Sequence, residues 1–400
     1  METQGSEMVP SKELERRINA LQVGMKEQGI EGALLVERAD LYYFTGTGQS
    51  GHLFVPSQGE PQLLVRKNLR RACQESNLSR VVSFENWEQL SEIMKTLVPE
   101  GRKIGLELDL LPVKQYFRYQ KRLPSYEFVD VSPIIRQIRA VKTSWELERQ
   151  FKAAKLSEEA FGYAREILQE GMTEIELAGK VEGFLRSRGH LGPIRMRGFN
   201  QELYFGHIMA GANAAKPSYF DGPTGGPGLH PSFPQGAGTG LIRKGEPVLI
   251  DFVTVRQGYM VDQTRIFSLG ELPSHLQEAY RVAVEIKQDL ASRGQAGVPA
   301  GDLFGRAWEM AEKAGLSEHF LGYEEKINFV GHGVGLEVDE APIIARGVEA
   351  PLEEGMVFAL EPKFTFPEEG VVGIEDTFVV RGDCLEQITS FEEEKIEISV

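Results

Sequence analysis

The most regular pattern of apolar and polar positions lies in residues 248–267, where the two alternate on either side of residues 257–258. Such alternation is typical of half-buried strands, and a Gln-Gly pair between two strands predicts a β-hairpin with a tight turn. A turn centred there places Val253 opposite Asp262. Asp251 lies two residues before Val253, so the carboxylates of Asp251 and Asp262 are expected to be diagonal neighbours on one face.

The first 140 residues alternate short apolar runs with amphipathic stretches. Leu14, Ile18, Leu21 and Met25 share one face of a helix predicted over residues 13–27. Two more helices are predicted over residues 69–75 and 87–97. Strands are predicted at residues 32–36, 41–44, 52–56, 61–65, 103–108 and 128–131. This order of elements predicts an α/β domain over residues 1–140.

Longer helical patterns follow residue 140. Thr143 with Glu146, and Thr173 with Glu176, match the T-x-x-E capping box and predict helices that run to about residues 168 and 188. Two further helices are predicted at residues 274–292 and 301–314. Strands are predicted at residues 357–364 and 371–380. Because helices and strands segregate here, we expect an α+β domain over residues 141–400.

Two glycine-containing segments need separate interpretation. Residues 46–51, GTGQSG, match G-x-G-x-x-G but lead into a strand-like stretch and lack an acidic residue about 20 positions later, so nucleotide binding is rejected. Residues 222–240 are rich in glycine and proline and cannot form a helix or a central strand. They form a long loop that is either functional or a mobile surface segment.

Composition narrows the class of protein. The 400 residues are 41% hydrophobic and 26% charged, with a net charge of −15. The charge argues against a nucleic-acid or anionic-membrane partner, and no apolar stretch is long enough to span a membrane. The N-terminus has no apolar core of a signal peptide. Only Cys73 and Cys384 are present, which argues against a disulfide framework and favours a cytoplasmic location.

The two hairpin acids suggest a cation. Burying like charges close together is costly unless positive charge lies between them. No Lys or Arg is interleaved on that face of the hairpin, so a divalent ion between Asp251 and Asp262 is one interpretation. Two solvated acids on an ordinary hairpin are the other.

Three further residues extend the metal interpretation. His332 lies among glycines in VGHGVG, Glu361 ends the apolar run FALEP, and Glu375 begins the apolar run IEDTFVV. Taken singly, each is more typical of an ion pair or a hydrogen-bonded loop residue. Together with Asp251 and Asp262 they form a hard, oxygen-rich ligand set suited to two bridged divalent ions.

These residues, in this order and sequence context, resemble the metallopeptidase family of the pita-bread fold. That family includes methionine aminopeptidase, Xaa-Pro aminopeptidase and Xaa-Pro dipeptidase. The resemblance is carried by LIDF, VDQTR, GHGVG, LEP and IEDT, and in the N-terminal half by RINALQVGMKEQGIEGALLV, YYFTGT and IRAVKTSWELERQFKAA. It implies an α/β N-terminal domain of the creatinase/prolidase type followed by a pita-bread domain. It also implies two divalent ions (Mn, Co, Fe or Zn, with Mn favoured) and a homodimer.

The chain departs from the Xaa-Pro peptidase pattern at two positions. Ser218 and Asp339 stand where those peptidases have histidines that bind substrate and stabilise the oxyanion, whereas Glu340 is kept. Losing both histidines removes donors from the place where negative charge develops. His207 and His230 are candidate replacements.

The resemblance implies a metal-dependent hydrolase of small peptides that acts on Xaa-Pro substrates. Glu361 is then a candidate to accept a proton from the attacking water, and Arg265 either orients the site or forms an ordinary ion pair. One alternative is a non-peptidase enzyme, a lyase or C–N hydrolase of a small zwitterion, with Asp339 as general base. A second alternative is a binding protein that has lost catalysis.

Overall fold

The computed structural model describes residues 8–393 and 396–398, and the chain divides into two compact units, Met1–Arg139 and Ala140–Val400. The first is α/β and the second α+β, as the sequence predicts. Within the described residues, no helix combines the length and the apolar character needed to cross a membrane.

The N-terminal unit is built on one six-stranded mixed sheet in the order β4-β3-β2-β1-β5-β6. Its strands are β1 (Gly32–Leu35), β2 (Gly51–Pro56), β3 (Gln62–Val65), β4 (Val81–Ser83), β5 (Lys103–Leu106) and β6 (Glu127–Asp130). Its helices are α1 (Ser11–Glu27), α2 (Arg38–Thr45), α3 (Leu69–Glu75), α4 (Trp87–Leu97), α5 (Val113–Arg122) and α6 (Ser132–Ala140).

The predicted strand at residues 41–44 is wrong, because that segment lies inside helix α2. The side chain of Glu37 accepts a hydrogen bond from the backbone N–H of Asp40, and Gly46 ends the helix with φ 78°. Capping at both ends outweighs the β propensity of the aromatic pair Tyr43–Phe44. Helices α5 and α6 were not predicted.

The described residues of the second unit form four long helices and thirteen strands. The helices are α7 (Ser144–Ile167), α8 (Glu174–Ser187), α9 (Ser274–Arg293) and α10 (Ala300–Lys313). The strands are β7 (Pro193–Ile194), β8 (Leu203–Tyr204), β9 (Gly206–Ala210), β10 (Pro247–Arg256), β11 (Tyr259–Leu269), β12 (Phe329–Gly333), β13 (Glu340–Ala345), β14 (Val357–Leu360), β15 (Lys363–Phe366), β16 (Gly370–Gly373), β17 (Asp376–Val380), β18 (Leu385–Gln387) and β19 (Ile396–Ile398).

Strands β10 and β11 form the predicted hairpin, and the predicted register is confirmed because Val253 pairs with Asp262. Gln257 and Gly258 both have positive φ, 53° and 91°, as the turn of a two-residue hairpin requires. The hairpin lies in a sheet of order β19-β11-β10-β9, and a second sheet has the order β13-β12-β14-β17-β18.

The two C-terminal strands predicted at residues 357–364 and 371–380 are each interrupted. The first divides at Glu361–Pro362 into β14 and β15, and the second divides at Ile374–Glu375 into β16 and β17. Pro362 has no N–H to give to a ladder, so a strand cannot continue through it unchanged. Since β14 pairs with β17 and β15 with β16, both breaks occur at the same level.

Helix α7 holds the hairpin from behind. Its predicted capping box is confirmed, since Thr143 and Glu146 each accept from the other's backbone N–H. Five of its buried residues are small, and small residues allow a helix to approach a sheet closely: Ala153, Ala154, Ser157, Ala160 and Ala164. Phe161 stacks on Phe252 of β10 with ring centroids 4.6 Å apart. The position of the hairpin is therefore fixed by a rigid support.

Candidate metal centre

The structure brings the five predicted metal ligands together where the two sheets meet. Asp251 lies on β10, Asp262 on β11 and His332 on β12, while Glu361 and Glu375 lie at the two strand breaks. An isolated bridge between Thr264 and Glu375 joins the hairpin to the second sheet. The breaks thus release both glutamates from regular pairing at the point where the hairpin acids face them.

The ring of His332 is oriented as in a metal-binding histidine. Its Nδ1 lies 2.7 Å from the carbonyl oxygen of Val338, so Nδ1 donates and Nε2 faces the acids. Nε2 is 3.9 Å from Oδ2 of Asp262, 3.6 Å from Oε1 of Glu361 and 3.7 Å from Oε1 of Glu375. These separations are too long for hydrogen bonds. They suit atoms that each lie about 2.0–2.2 Å from one shared ion.

The same half of the cluster contains an unsatisfied polar atom. Oε1 of Glu375 is buried and has no hydrogen-bond partner. Ligand atoms of Asp262, His332 and Glu375 all lie within 4.8 Å of one another. Because a buried carboxylate oxygen without a donor is costly, this half of the cluster fits a divalent ion.

The other half of the cluster is occupied by a lysine. Nζ of Lys363, on β15, lies 2.9 Å from Oδ2 of Asp251, Oε2 of Glu361 and Oε2 of Glu375. Its side chain is 1% exposed. This lysine was not predicted, because only cations on the hairpin were considered. The signal was present, since Lys363 follows Glu361 by two residues and extended chain places such residues on one side.

Burial and mutual charge shift the pKa values of the cluster in the ion-free protein. Burial raises the pKa of Glu361 to about 7 although Lys363 acts against the shift. Burial also raises the pKa of Glu375, but Lys363 and His332 outweigh it and lower the value to about 2. Burial lowers the pKa of His332, and Glu375, Glu361 and Asp262 reverse this and raise it to about 10. The cluster therefore holds protons that an incoming divalent ion must displace.

Arg265 has a structural role beside the cluster and is fully buried. Its guanidinium donates to the carboxylate of Asp376 and to the carbonyl oxygens of Thr264, Glu375, Phe391 and Glu392. These acceptors engage all five N–H groups. Arg265 consequently has no donor to offer a substrate carboxylate, and it acts on the site by fixing the backbone of Glu375.

His207 lies next to Asp251, because the two residues pair between β9 and β10. Its ring is buried, with Nδ1 3.2 Å from Oγ1 of Thr224 and Nε2 3.2 Å from Oε1 of Gln235. Burial lowers the pKa of His207, and the charge of Asp251 opposes that shift. Both of its partners belong to the loop of residues 222–240, so this loop is anchored beside the cluster.

The loop of residues 222–240 is packed over part of its length. Glu174 accepts hydrogen bonds from the backbone N–H groups of Ala210 and Gly238. Gly226 has φ 85°, and a Cβ there would lie 2.1 Å from Sδ of Met209. The glycines therefore serve close packing on β9 as well as turning.

Asp339 and Glu340 support the segment that follows His332. The carboxylate of Asp339 accepts from the backbone N–H groups of Arg197 and Gly198, at 2.7–2.9 Å, through both oxygens. Glu340 is buried and accepts from the backbone N–H groups of Leu336 and Glu337 and from Nζ of Lys142. These contacts hold the turn whose Val338 carbonyl orients the His332 ring.

The remaining candidates lie just before the loop, at Ser218, and within it, at His230. The hydroxyl of Ser218 donates to the carbonyl oxygen of Pro234 at 2.7 Å, so it is engaged locally. His230 is exposed, and its Nδ1 lies 2.9 Å from the hydroxyl of Ser232. The structure does not bring His230 into contact with any of the five clustered residues among those it describes.

A cavity of about 830 Å³ opens beside these elements. Thr365, two residues after Lys363, and Thr224, the partner of His207, both line it. Charged residues of both signs line the remainder: Lys216, Asp221, Glu324, Glu325, Lys326 and Glu368. The volume is that of a site for a small molecule.

Residues 148–382 match metallopeptidase family M24, and residues 17–141 match the creatinase/prolidase N-terminal domain. The first match covers more than half of the chain. The chain therefore belongs to metallopeptidase family M24. The M24 match includes the hairpin, both strand breaks and all five clustered residues, and membership makes the protein a metal-dependent hydrolase of the peptidase class.

Known M24 proteins resemble the chain along almost its whole length. An Xaa-Pro dipeptidase of Pyrococcus furiosus is 28% identical over 384 residues, covering 95% of this chain and 99% of the relative. The solved structure of an Xaa-Pro dipeptidase from Bacillus anthracis has a TM-score of 0.83 at 25% identity. The match covers 96% of this chain and 100% of that structure. The solved structure of the prolidase of Pyrococcus horikoshii OT3 has a TM-score of 0.79 at 26% identity. The match covers 95% of this chain and 100% of that structure.

The M24 family norm is a site with two metal ions, and the residues present fit that norm in one half only. The half formed by Asp262, His332, Glu361 and Glu375 has the donor types and the unpartnered oxygen expected of an ion site. In the half that contains Asp251, the ammonium of Lys363 occupies the space between the carboxylates.

Proposed function

We propose that this M24 protein is a dipeptidase that hydrolyses Xaa-Pro dipeptides. The observation that carries the proposal is the set of three carboxylates facing Nε2 of His332, with Oε1 of Glu375 unpartnered. The substrate class comes from relatives named Xaa-Pro dipeptidase that span nearly the whole chain.

Four residues would hold the ion in this proposal: Asp262, His332, Glu361 and Glu375. A bound divalent ion supplies a hydroxide nucleophile near neutral pH and polarises the scissile carbonyl. Glu361 is placed to accept a proton, because its Oε1 lies 3.6 Å from Nε2 of His332, in the half of the cluster that would hold the ion and its water. The Nδ1–H bond from His332 to the Val338 carbonyl keeps the ring in one orientation through this process.

We place a zwitterionic substrate in the cavity that Thr224 and Thr365 line. Its lining offers ammonium groups for a terminal carboxylate and carboxylates for a terminal amine. Phe220 and Tyr219 add apolar surface to the lining. We propose that a dipeptide lies there with its peptide carbonyl toward Glu361.

The proposal includes the identity of the metal, the oligomeric state and the cellular compartment. The oxygen-rich set favours manganese over zinc, which prefers nitrogen and sulfur ligands. We propose a homodimer, tested by sedimentation velocity. Cys73 and Cys384 are both free and exposed, which supports a reducing, cytoplasmic compartment.

The alternative of a lyase with Asp339 as general base has weaker support. A base must reach a substrate proton with a free oxygen. Both oxygens of Asp339 accept backbone N–H groups. This engagement favours the peptidase over the lyase, and Asp339→Asn activity on small zwitterions tests the choice.

The direct test is a dipeptide panel with Mn²⁺-loaded protein. We expect hydrolysis of Xaa-Pro dipeptides, little hydrolysis of Xaa-Ala dipeptides, and loss of activity in His332→Ala. Lys313→Ala, which removes an exposed lysine from α10, is a control that should retain activity. Wild-type protein that binds Mn²⁺ but cleaves no dipeptide refutes the proposal.

A further inference from the structure

We propose that this protein binds a single divalent ion and that the ammonium of Lys363 permanently takes the place of the second ion. The inference rests on the metal-binding part of the proposed function and is independent of the substrate. M24 proteins normally hold two ions, whereas the surroundings of the two Glu375 oxygens in this chain support one.

The two oxygens of Glu375 have opposite environments. Oε2 accepts from Nζ of Lys363 at 2.9 Å and from the hydroxyl of Thr264 at 2.7 Å. Oε1 is buried without any hydrogen-bond partner and faces Nε2 of His332 at 3.7 Å. A site built for two ions would leave both oxygens to the metals. Here one oxygen is satisfied by protein donors and the other is open to one ion.

The position of the ammonium matches that of a bridging cation. Three different carboxylates converge on Nζ at the same distance of 2.9 Å. Asp251 contributes to this contact, whereas the carboxylates within 4 Å of Nε2 of His332 are those of Asp262, Glu361 and Glu375, so the charge of Asp251 serves the lysine. An ion in this position would have to displace Nζ, since the two cannot share one set of oxygens.

The lysine is also built into the strand that carries it. Lys363 pairs with Gly373 across the β15–β16 ribbon. A Cβ at Gly373 would lie 2.7 Å from Cγ of Lys363, so the stem occupies the space that a larger residue would need. The 1% exposure of the side chain shows that the ammonium is buried in this position.

Charge balance is consistent with one ion. The four carboxylates of Asp251, Asp262, Glu361 and Glu375 carry four negative charges when ionised, and the ammonium and one divalent ion together offset three of them. A second divalent ion added beside the retained ammonium would reverse the sign of the cluster and repel both cations. Unlike a metal, the ammonium cannot bind water as a ligand, so it contributes a fixed charge and three N–H donors.

The experiment counts ions and reads their coupling. Wild type and Lys363→Ala are stripped with chelator, dialysed against excess Mn²⁺ and analysed for bound metal. We expect one ion per chain in wild type and two in Lys363→Ala, which removes the ammonium and opens its space. Electron paramagnetic resonance should show isolated Mn²⁺ in wild type and an exchange-coupled pair in the variant.

Two controls separate charge, space and stability. Lys363→Met removes the charge but fills the space with a ligand that Mn²⁺ disfavours, and it should keep one ion. Lys287→Ala removes another buried lysine, which pairs with Asp376 and Glu393, and it should also keep one ion. Should Lys363→Ala not fold, the wild-type count and spectrum still decide.

Wild type with two coupled ions, or with none, overturns the inference. Wild type with one ion and no dipeptidase activity leaves the inference standing and refutes the proposed function. Wild type that hydrolyses dipeptides with two ions bound refutes the inference and leaves the proposed function standing.

Discussion

Replacing Lys363 with alanine should destabilise the ion-free protein strongly and the Mn²⁺-loaded protein much less. At 2.9 Å and an effective dielectric constant of about 20, each carboxylate contact contributes a gross attraction of about 6 kcal/mol. Desolvation of the four groups offsets most of this sum. Breaking a buried ionic cluster by removing one partner costs about 3–5 kcal/mol in the free energy of unfolding.

Proton uptake independently limits the size of this loss. A glutamate left without its cation can take a proton at pH 7, at a cost of about 3 kcal/mol relative to its ordinary pKa. This agrees with the lower end of the range above. At about 2–4 °C per kcal/mol for a domain of this size, the melting temperature in chelator should fall by roughly 6–20 °C.

The assay is thermal unfolding followed by circular dichroism, with chelator and with excess Mn²⁺. Mn²⁺ should raise the melting temperature of Lys363→Ala more than that of wild type, because the variant binds two ions and wild type binds one. Lys287→Ala should be destabilised similarly in both conditions. The reasoning is refuted if Lys363→Ala melts with wild type in chelator, or if Mn²⁺ restores no more stability to it than to wild type.

Three further outcomes follow from other parts of the molecule. Chelation should lower the melting temperature of wild type, and re-addition of Mn²⁺ should restore it, because the ion binds only the folded site; an unchanged curve contradicts an ion site. Burial lowers the pKa of His52 to about 4, so between pH 6.5 and 4 the unfolded chain binds a proton that the folded one does not, and stability should fall by about 3 kcal/mol as pH falls. His52→Phe should flatten this pH dependence in denaturant titrations, and an unaltered profile would show that His52 is not its source. Glu174→Ala should expose residues 222–240 to limited proteolysis, whereas Glu176→Ala, which loses only its capping contacts, should not; equal cleavage of both would refute the anchoring role.

Local sequence signals predicted the parts of the fold that depend on neighbouring residues. The capping boxes at Thr143 and Thr173 and the hairpin register of Val253 with Asp262 are confirmed because each is set within a few residues. The strand predicted at residues 41–44 is wrong because the caps of the helix, Glu37 and Gly46, lie outside that window. The strand breaks at Glu361 and Glu375 depend on pairing partners that periodicity does not reveal.

The ammonium beside Asp251 marks the limit of what the hairpin sequence predicts. Partly buried Asp251 has the positive charge nearby that the hairpin pattern calls for, and this charge belongs to a side chain 112 residues away. Tertiary pairing of β15 brings Lys363 to that place, and hairpin sequence alone contains no sign of it. The local pattern thus indicated the need for a cation and left its chemical identity open.

Asp251 and Asp262 should consequently respond differently to the same substitution. Asp251 contacts the ammonium of Lys363 at 2.9 Å, whereas Asp262 lies 3.9 Å from Nε2 of His332 in the half open to an ion. Asp251→Asn keeps the shape of the side chain and removes one of the negative charges that surround the Lys363 ammonium. It should therefore lower the stability and leave the Mn²⁺ count at one. Asp262→Asn removes a ligand and should reduce that count. In a two-ion site both changes would lose metal, because both aspartates would be ligands. Equal loss of Mn²⁺ in the two variants, measured by dialysis and metal analysis, would show that Asp251 binds metal and that the ammonium does not replace an ion.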